Sequence, residues 1–344
     1  ICYCAEYGRI DDSMKTCIYS ARDITGLRKF IEQTLKKNNI SFSYVSKCPN
    51  ESCDFILVIG KDGDVLSFFL KFPNIVLPIL GVNITDTAGF LADVPLSQLN
   101  SAIRKIIDNE YWIQELLRIH AFTENLSITA LNEIALFSSK SATLMEYELW
   151  IDGEFVWRDY SDGVIIATPI GSTAYAMSAG GIFISPKADV LEIVPVNSLD
   201  VSRRAIVVPS DSIIEIKDIS SRYSPEIIAD GSFRHKIRDR IIISKSKTPA
   251  QFIRIYDKAL IHDKILRKVQ QSREILDLPP SAKFILKILE YEGALSQGDI
   301  IKKTLLPPRT VRYALSILLR RGLIEEKSPL SRDARRKIYF IKRK

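Results

Sequence analysis

The sequence predicts three parts in chain order. An α/β domain at residues 14–120 precedes a mostly-β domain at 121–256, which carries a helical connector at 257–276. A small α+β module closes the chain at 277–344. Three observations carry this reading. Apolar strands alternate with helical patterns up to about residue 120, and short strands separated by turn signals follow. Beyond the punctuation Leu278-Pro279-Pro280, helix-period patterns return.

The chain has 344 residues, enough for two or three domains. Apolar residues make up 46% and charged residues 26%, so it can bury a sizeable core and is not disordered. The longest apolar candidate, Phe68 to Ile84, is broken by Lys71, Pro73 and Pro78, which excludes a transmembrane helix there. Glu6, Asp11 and Asp12 stand where a signal peptide would need an apolar stretch. The cysteines Cys2, Cys4, Cys17, Cys48 and Cys53 crowd one end, and their odd number is expected of reduced thiols in a cytoplasmic protein. The spacing of Cys2, Cys4, Cys48 and Cys53 matches no standard zinc knuckle, and no metal site is expected.

Lys15–Ser20 reads as a strand, Asp23–Asn38 as a helix and Ser41–Ser46 as a second strand. Asp54–Ile59 is a continuous apolar strand that ends in the loop Gly60-Lys61-Asp62-Gly63-Asp64. Val65–Lys71 then reads as a helix, Asn74–Leu80 as a buried strand, and Leu96–Asp108 and Tyr111–His120 as helices. Such alternation favours a parallel sheet with its ligand loop at the carboxyl ends of the strands. In the second domain, Asp152-Gly153 joins strands Tyr147–Ile151 and Glu154–Arg158 as a two-residue hairpin. Further strands are expected at 163–167, 190–194, 205–208, 213–216, 241–244 and 251–255.

The last module holds the excess charge. From Asp277 to Lys344 there are 16 basic residues against 7 acidic ones, a net +9, while the rest of the chain is net −2. Counterion release makes such a segment suited to nucleic acid, although a solvated basic surface has the same composition. Helices at Ser281–Glu290, after Ser296, and at Arg309–Arg321, followed by strands Leu323–Glu326 and Lys337–Ile341, describe a winged helix-turn-helix. Val311, Leu315, Leu318 and Leu319 share the inward face of the third helix. That leaves Arg309, Thr310, Arg312 and Tyr313 at its N-terminal end, where recognition helices touch double-stranded DNA. The wing adds Arg332, Arg335, Arg336 and Lys337 for phosphates.

Two loops of the large part suit a nucleotide. In Gly60–Asp64 the glycines let backbone approach phosphates, although a plain strand-to-helix turn has the same composition. In Thr168–Gly181, small hydroxyl and glycine residues surround Tyr175, leaving room for a nucleoside and a stacking platform.

At this second loop, TPIGSTAYAMSAGG, the chain resembles the NAD kinase family, whose segment reads TPTGSTAYSLSAGG; it differs at Ile170, Ala176 and Met177. Asn132-Glu133 in ALNEIAL, Asp162-Gly163, RRAIVVP, Asp230-Gly231 in IIADGSF and QFIRIY lie in the same order, so the resemblance spans about residues 14–265. It implies the two-domain NAD kinase architecture and transfer of the ATP γ-phosphate, with Mg²⁺, to the 2′-hydroxyl of the adenosine ribose of NAD. By motif, Asp62 would orient or deprotonate that hydroxyl. Gly60, Lys61 and Gly63 would line the phosphate loop, with Asn83 and Phe90 beside the substrate. Asn132 and Glu133 would hold ribose hydroxyls, and Asp162, Thr173, Ala174, Tyr175 and Ser178 would complete the dinucleotide pocket.

The family's GGDGT loop is here GKDGD. Lys61 brings a β-carbon where backbone freedom is expected, and Asp64 brings a second carboxylate expected to repel phosphate. The loop at 81–90 is one residue longer than GxNxGxLGF, and the Pro-His pair is absent around Val194–Leu199. These departures fall on the phosphate side. They favour a regulator that binds NAD(H) or NADP(H), has weakened or lost kinase activity, and acts on DNA as a homodimer or homotetramer. The alternative is a working NAD kinase with an accessory DNA-binding tail. An inert scaffold is disfavoured by the intact TPIGSTAYAMSAGG segment.

Overall fold

Phe55-Ile56-Leu57-Val58-Ile59 is buried along its whole length and forms the middle of the first sheet. A strand with both faces covered has no polar side, hence the continuous apolar run. The computed structural model describes residues 14–45, 53–85, 89–140, 143–238, 240–255, 278–304, 306–327 and 337–341. The chain divides into two units, Ile1–Ile265 and Leu266–Lys344.

The first unit begins with β1 (Lys15–Tyr19), α1 (Thr25–Lys37), β2 (Ser41–Tyr44), β3 (Phe55–Gly60) and α2 (Asp62–Lys71). Then come β4 (Ile79–Asn83), β5 (Val94–Pro95), α3 (Leu99–Ile107) and β6 (Trp112–Leu116). The β-rich part contains β7 (Ile119–Thr123), β8 (Leu126–Ala130), β9 (Glu133–Ser138), β10 (Met145–Ile151), β11 (Glu154–Ser161) and β12 (Gly163–Ala167). After α4 (Tyr175–Ser178) it continues with β13 (Val190–Val196), β14 (Ile206–Pro209), β15 (Ile214–Ser221), β16 (Pro225–Ala229) and β17 (Phe233–Lys236). It ends with β18 (Ile241–Lys245) and β19 (Ala250–Arg254).

The first sheet has the order β2-β1-β3-β4-β19-β6, with β5 paired to β4. Ile31 and Leu35 of α1 and Leu99, Ile103 and Ile106 of α3 pack on one face, against Leu57, Ile59, Leu80 and Val82. Val65, Phe68 and Phe69 of α2 cover the other face. Each such fully buried side chain contributes about 1.5–3 kcal/mol by leaving water.

Sheets β11-β10-β15-β18-β7-β8 and β14-β13-β12-β9-β16-β17 form a sandwich. Tyr147, Leu149 and Ile216 meet Ile134, Leu136, Val164 and Ile193 in its core. Asp152 (φ 54°) and Gly153 (φ 84°) supply the two left-handed residues of a type I′ hairpin turn.

Several expectations are corrected. Tyr111–His120 is not a helix but parts of β6 and β7, because β6 pairs antiparallel with β19, whose residues lie some 140 positions later. For the same reason residues 250–254, expected with the β domain, complete the first sheet. The strand expected at 74–80 starts only at Ile79, after Pro78, which has no N–H for a ladder. Strands β5, β8, β9, β16 and β17 fall outside the expected ones. Cys17 and Cys53 are not free thiols; they form a disulfide with Cα atoms 5.9 Å apart. Cys2, Cys4, Cys48 and the connector expected at 257–276 lie outside the described residues.

The second unit contains α5 (Pro280–Glu292), β20 (Leu295–Ser296), α6 (Gln297–Thr304), α7 (Pro308–Arg320), β21 (Ile324–Lys327) and β22 (Ile338–Ile341). Its sheet has the order β20-β22-β21. Ile285, Leu289, Ile300, Val311, Leu315, Leu318, Ile324 and Tyr339 form its core. At the start of α6, Asp299 accepts the Ser296 hydroxyl (2.6 Å) and donates its own N–H back to that oxygen (3.2 Å). Gly322 (φ 65°) ends α7.

Candidate active site

Asp62 stands at the first residue of α2, directly after the carboxyl end of β3. Its carboxylate accepts three backbone N–H groups, from Phe90 (2.9 Å), Leu91 (3.0 Å) and Ala92 (3.0 Å). A carboxylate has about four lone-pair directions, so about one remains for another donor. Gly89 closes the turn by donating to the Ala92 carbonyl (2.8 Å), and a β-carbon there would collide with Asp62 Oδ1. Asn83 lies opposite Gly60 in the sheet, and its Oδ1 accepts the Thr85 N–H (3.0 Å) and hydroxyl (2.7 Å). The expected residues Gly60, Lys61, Asp62, Gly63, Asn83 and Phe90 therefore share one end of the parallel sheet.

Two expectations about this loop are corrected. Lys61 has φ −106° and ψ 178°, ordinary extended backbone, so its β-carbon costs nothing, and its side chain is exposed. Asp64 is not a bare charge facing phosphate. It is buried, accepts the Lys61 N–H (2.7 Å), and takes Arg22 Nε at 2.9 and 2.8 Å on its two oxygens. Gly60 makes this possible, since a β-carbon there would stand 2.6 Å from Asp64 Oδ2.

The second cluster gathers around the start of β9 and the face of its sheet. Asp230 (φ 47°) turns its buried carboxylate onto the N–H groups of Leu131 (2.9 Å), Asn132 (2.7 Å) and Glu133 (3.3 Å). Burial pushes Asp230 up to about 6 although these donors favour its anion. Glu133 is pushed further, to about 8, by burial and then by the Asp230 charge, and its Oε2 has no hydrogen-bond partner. Glu133 thus carries a proton at neutral pH and can donate it in a hydrogen bond.

The Thr168–Gly181 segment folds back over this sheet. The Thr168 hydroxyl donates to the Leu131 carbonyl (2.7 Å), and Gly171 packs so tightly on Asn132 that a β-carbon would meet its Cα at 2.8 Å. Thr173 is buried with its hydroxyl on the Ile170 carbonyl (3.2 Å), so it shapes the loop. Ala174 leads into α4, where Tyr175 and Ser178 are exposed. Tyr175 lies 5.8 Å from the Phe137 ring, and Phe137 pairs with Gly163. That brings the phenol within electrostatic reach of Asp162, Glu133 and Arg234; burial first, then the two carboxylates, raise its pKa, and Arg234 opposes them. Asp162 accepts Asn197 Nδ2 (2.8 Å).

These features have counterparts in known proteins. The ATP-NAD kinase N-terminal domain model matches residues 20–111, and the ATP-NAD kinase C-terminal domain model matches residues 131–255. The chain belongs to the NAD kinase family. An NAD kinase of Methanosarcina barkeri is 36% identical over 228 residues, covering 65% of this chain and 82% of that protein. An NAD kinase of Alcanivorax borkumensis is 37% identical over 202 residues, covering 57% of this chain and 67% of that protein. The crystal structure of an NAD kinase from Archaeoglobus fulgidus in complex with ATP superposes with a TM-score of 0.65 at 28% identity, covering 75% of this chain and 99% of that one. Yeast NADH kinase complexed with NADH shares the fold, with a TM-score of 0.64 at 21% identity, covering 75% of this chain and 88% of that one.

Within this family member, reading the sequence missed Arg22, Asp93, Glu192, Arg234 and Arg254 as residues of the site and its supports. Asp230, in IIADGSF, and Arg254, in QFIRIY, lie in motifs of the resemblance without an assigned role; Arg22, Asp93, Glu192 and Arg234 carry no such signal. Glu192 is buried, takes the Ile182 N–H (2.5 Å) and holds the Gly180–Ile182 turn. Among the described residues no group of three or more His, Cys, Asp or Glu could hold a metal. With Asp64 committed to Arg22, a Mg²⁺ arriving with ATP would take its ligands chiefly from phosphate and water. Among the described residues no helix is long and apolar enough to cross a membrane.

In the second unit, Arg309, Arg312 and Tyr313 are exposed on the first turns of α7, and Thr310 is half-buried. Lys337 is bound to Glu326 (2.6 Å) across the hairpin, so its charge is partly spent, contrary to expectation. Arg332, Arg335 and Arg336 lie outside the described residues.

Proposed function

We propose that this protein is an ATP-dependent NAD kinase that phosphorylates the 2′-hydroxyl of the adenosine ribose of NAD to give NADP. The observation that carries this reading is Asp62, held by three backbone N–H groups with one acceptor direction open at the mouth of the phosphate loop. In this reading the ribose hydroxyl donates to Asp62 and its oxygen attacks the γ-phosphorus. The bond to the β-γ bridging oxygen breaks, ADP leaves, and Asp62 takes the proton. Lys61 and the N-terminus of α2 face the transferred charge. Protonated Glu133 and Asn132 hold ribose hydroxyls, while Tyr175, Asp162, Ala174 and Ser178 border the rest of the dinucleotide. The Arg22–Asp64 pair removes the main objection to phosphoryl transfer, so the regulator favoured by sequence gives way to its alternative. A coupled assay with NAD, ATP and Mg²⁺ tests this: NADP should accumulate with wild type and fall at least 100-fold with Asp62→Asn.

We propose separately that residues 277–344 are a winged helix that binds double-stranded DNA. Exposed Arg309, Arg312 and Tyr313 at the start of α7 support it, together with the net +9 of this segment. Palindromic half-sites would call for a homodimer or homotetramer in the cytoplasm. DNA affinity of full-length protein should drop, and its salt slope flatten, in the Arg309→Ala/Arg312→Ala variant. An unchanged slope would refute it.

A further inference from the structure

Asp62 owes its orientation to the turn at Phe90–Ala92, and that turn is itself tethered from a distant strand. Arg254, the last residue of β19, is buried and places Nη1 at 3.0 Å from Asp93 Oδ1 and 3.3 Å from the Leu91 carbonyl. Its Nε donates to Gln114 Oε1 (2.8 Å), and its guanidinium lies 4.7 Å from the Phe252 ring centre. Arg254 and Asp93 are each 3% exposed in their side chains, so the pair is barely screened by solvent. Beneath the turn, β4 comes so close that a β-carbon on Gly81 would stand 2.5 Å from the Leu91 oxygen. One guanidinium and one glycine thus fix both sides of the peptide whose N–H groups hold Asp62.

We infer that Arg254 is a positioning residue for phosphoryl transfer, acting through Asp93 and the Leu91 carbonyl on the orientation of Asp62. This rests on the kinase reading. Arg254 touches no reacting atom; its removal lets the turn shift, and a misplacement of about 1 Å at a reacting group costs about 100-fold in rate. The loss belongs chiefly in kcat, because, of the residues expected to border NAD and ATP, the turn carries Phe90 alone.

The test uses full-length Arg254→Met and Arg254→Lys, with Arg254→Met/Asp93→Leu to avoid stranding a buried carboxylate. Steady-state kinetics are combined with amide hydrogen exchange. We expect kcat to fall about 10- to 100-fold in both methionine variants with KM values within threefold. The lysine variant, which keeps a donor, should recover part of the loss. Exchange should rise at Phe90–Ala92 while β3 and β4 stay protected. A folded methionine variant with kcat within threefold of wild type would overturn the inference. So would a loss of kcat accompanied by faster exchange across the whole sheet. If wild type itself makes no NADP the kinase reading fails, and exchange at Phe90–Ala92 still decides whether Arg254 holds the turn.

Discussion

Arg22 and Asp64, 42 residues apart, are joined by a guanidinium Nε that bridges both carboxylate oxygens at 2.9 and 2.8 Å. The acidic residue in the position of the family's loop threonine has therefore brought its own counter-charge. Asp64 also caps α2 through the Lys61 N–H, so the pair fixes the start of the helix that carries Asp62.

Removing the cation should expose phosphate to Asp64. Arg22→Ala is expected to raise KM for ATP about tenfold, a change of about 1.4 kcal/mol. The effect should shrink at high salt, since the Arg22 side chain is half-exposed. Arg22→Ala/Asp64→Thr should recover most of the loss. A double variant as poor as the single one would mean that Arg22 meets ATP directly.

Glu133 gives a signature in pH. Its carboxyl is raised from the ordinary 4.5 to about 8, so folding favours the protonated form. Its contribution to stability is full below about pH 4.5 and is lost as pH rises through about 8. Glu133→Gln keeps the shape without the ionisation. Its Tm should exceed that of wild type by at least about 2–4 °C at pH 8, with a smaller difference at pH 5. Parallel Tm curves would contradict the buried, protonated carboxyl.

Tyr175 should act through its ring. It is 44% exposed beside Phe137, a free platform for a base. Stacking of this kind is worth about 1–3 kcal/mol, so Tyr175→Ala should weaken NAD binding about 5- to 100-fold in calorimetry. Tyr175→Phe should stay within threefold, and ATP binding should not change.

Gly171 is required by contact with backbone rather than by its own φ. Gly171→Ala would push Asn132 and the Thr168–Thr173 loop apart, at about 1–3 kcal/mol. The expected outcome is a lowered Tm together with weakened NAD binding.

Much of this was legible in the chain because the signals are local. The apolar run before Gly60, the Asp-Gly hairpin at 152–153 and the Ser296–Asp299 cap each depend on residues within a few positions. What could not be read is what the tertiary structure supplies. Trp112–Leu116 is a strand because β19 returns beside it, and Asp64 is harmless because Arg22 arrives from β1's loop. Cys17 and Cys53 meet because the segment entering β3 runs beside β1, where the Asp54 N–H reaches the Lys15 carbonyl (2.8 Å), and a count of thiols does not register this. Asp62, Asn132, Glu133 and Tyr175 are the candidates that motif singles out. Their supports Arg22 and Asp93 lie in segments with no motif of their own, and Arg254 lies inside QFIRIY, a motif that gives no hint of what its side chain holds.

The most direct measurement follows the transferred group. Protein is incubated with NAD, Mg²⁺ and ATP labelled at the γ-phosphate, and the labelled product is identified by chromatography and phosphorus NMR. Label is expected on the adenosine-ribose 2′-oxygen with wild type and at least about 100-fold less with Asp62→Asn. Wild-type protein that binds NAD and ATP yet leaves all label in ATP would contradict the kinase reading.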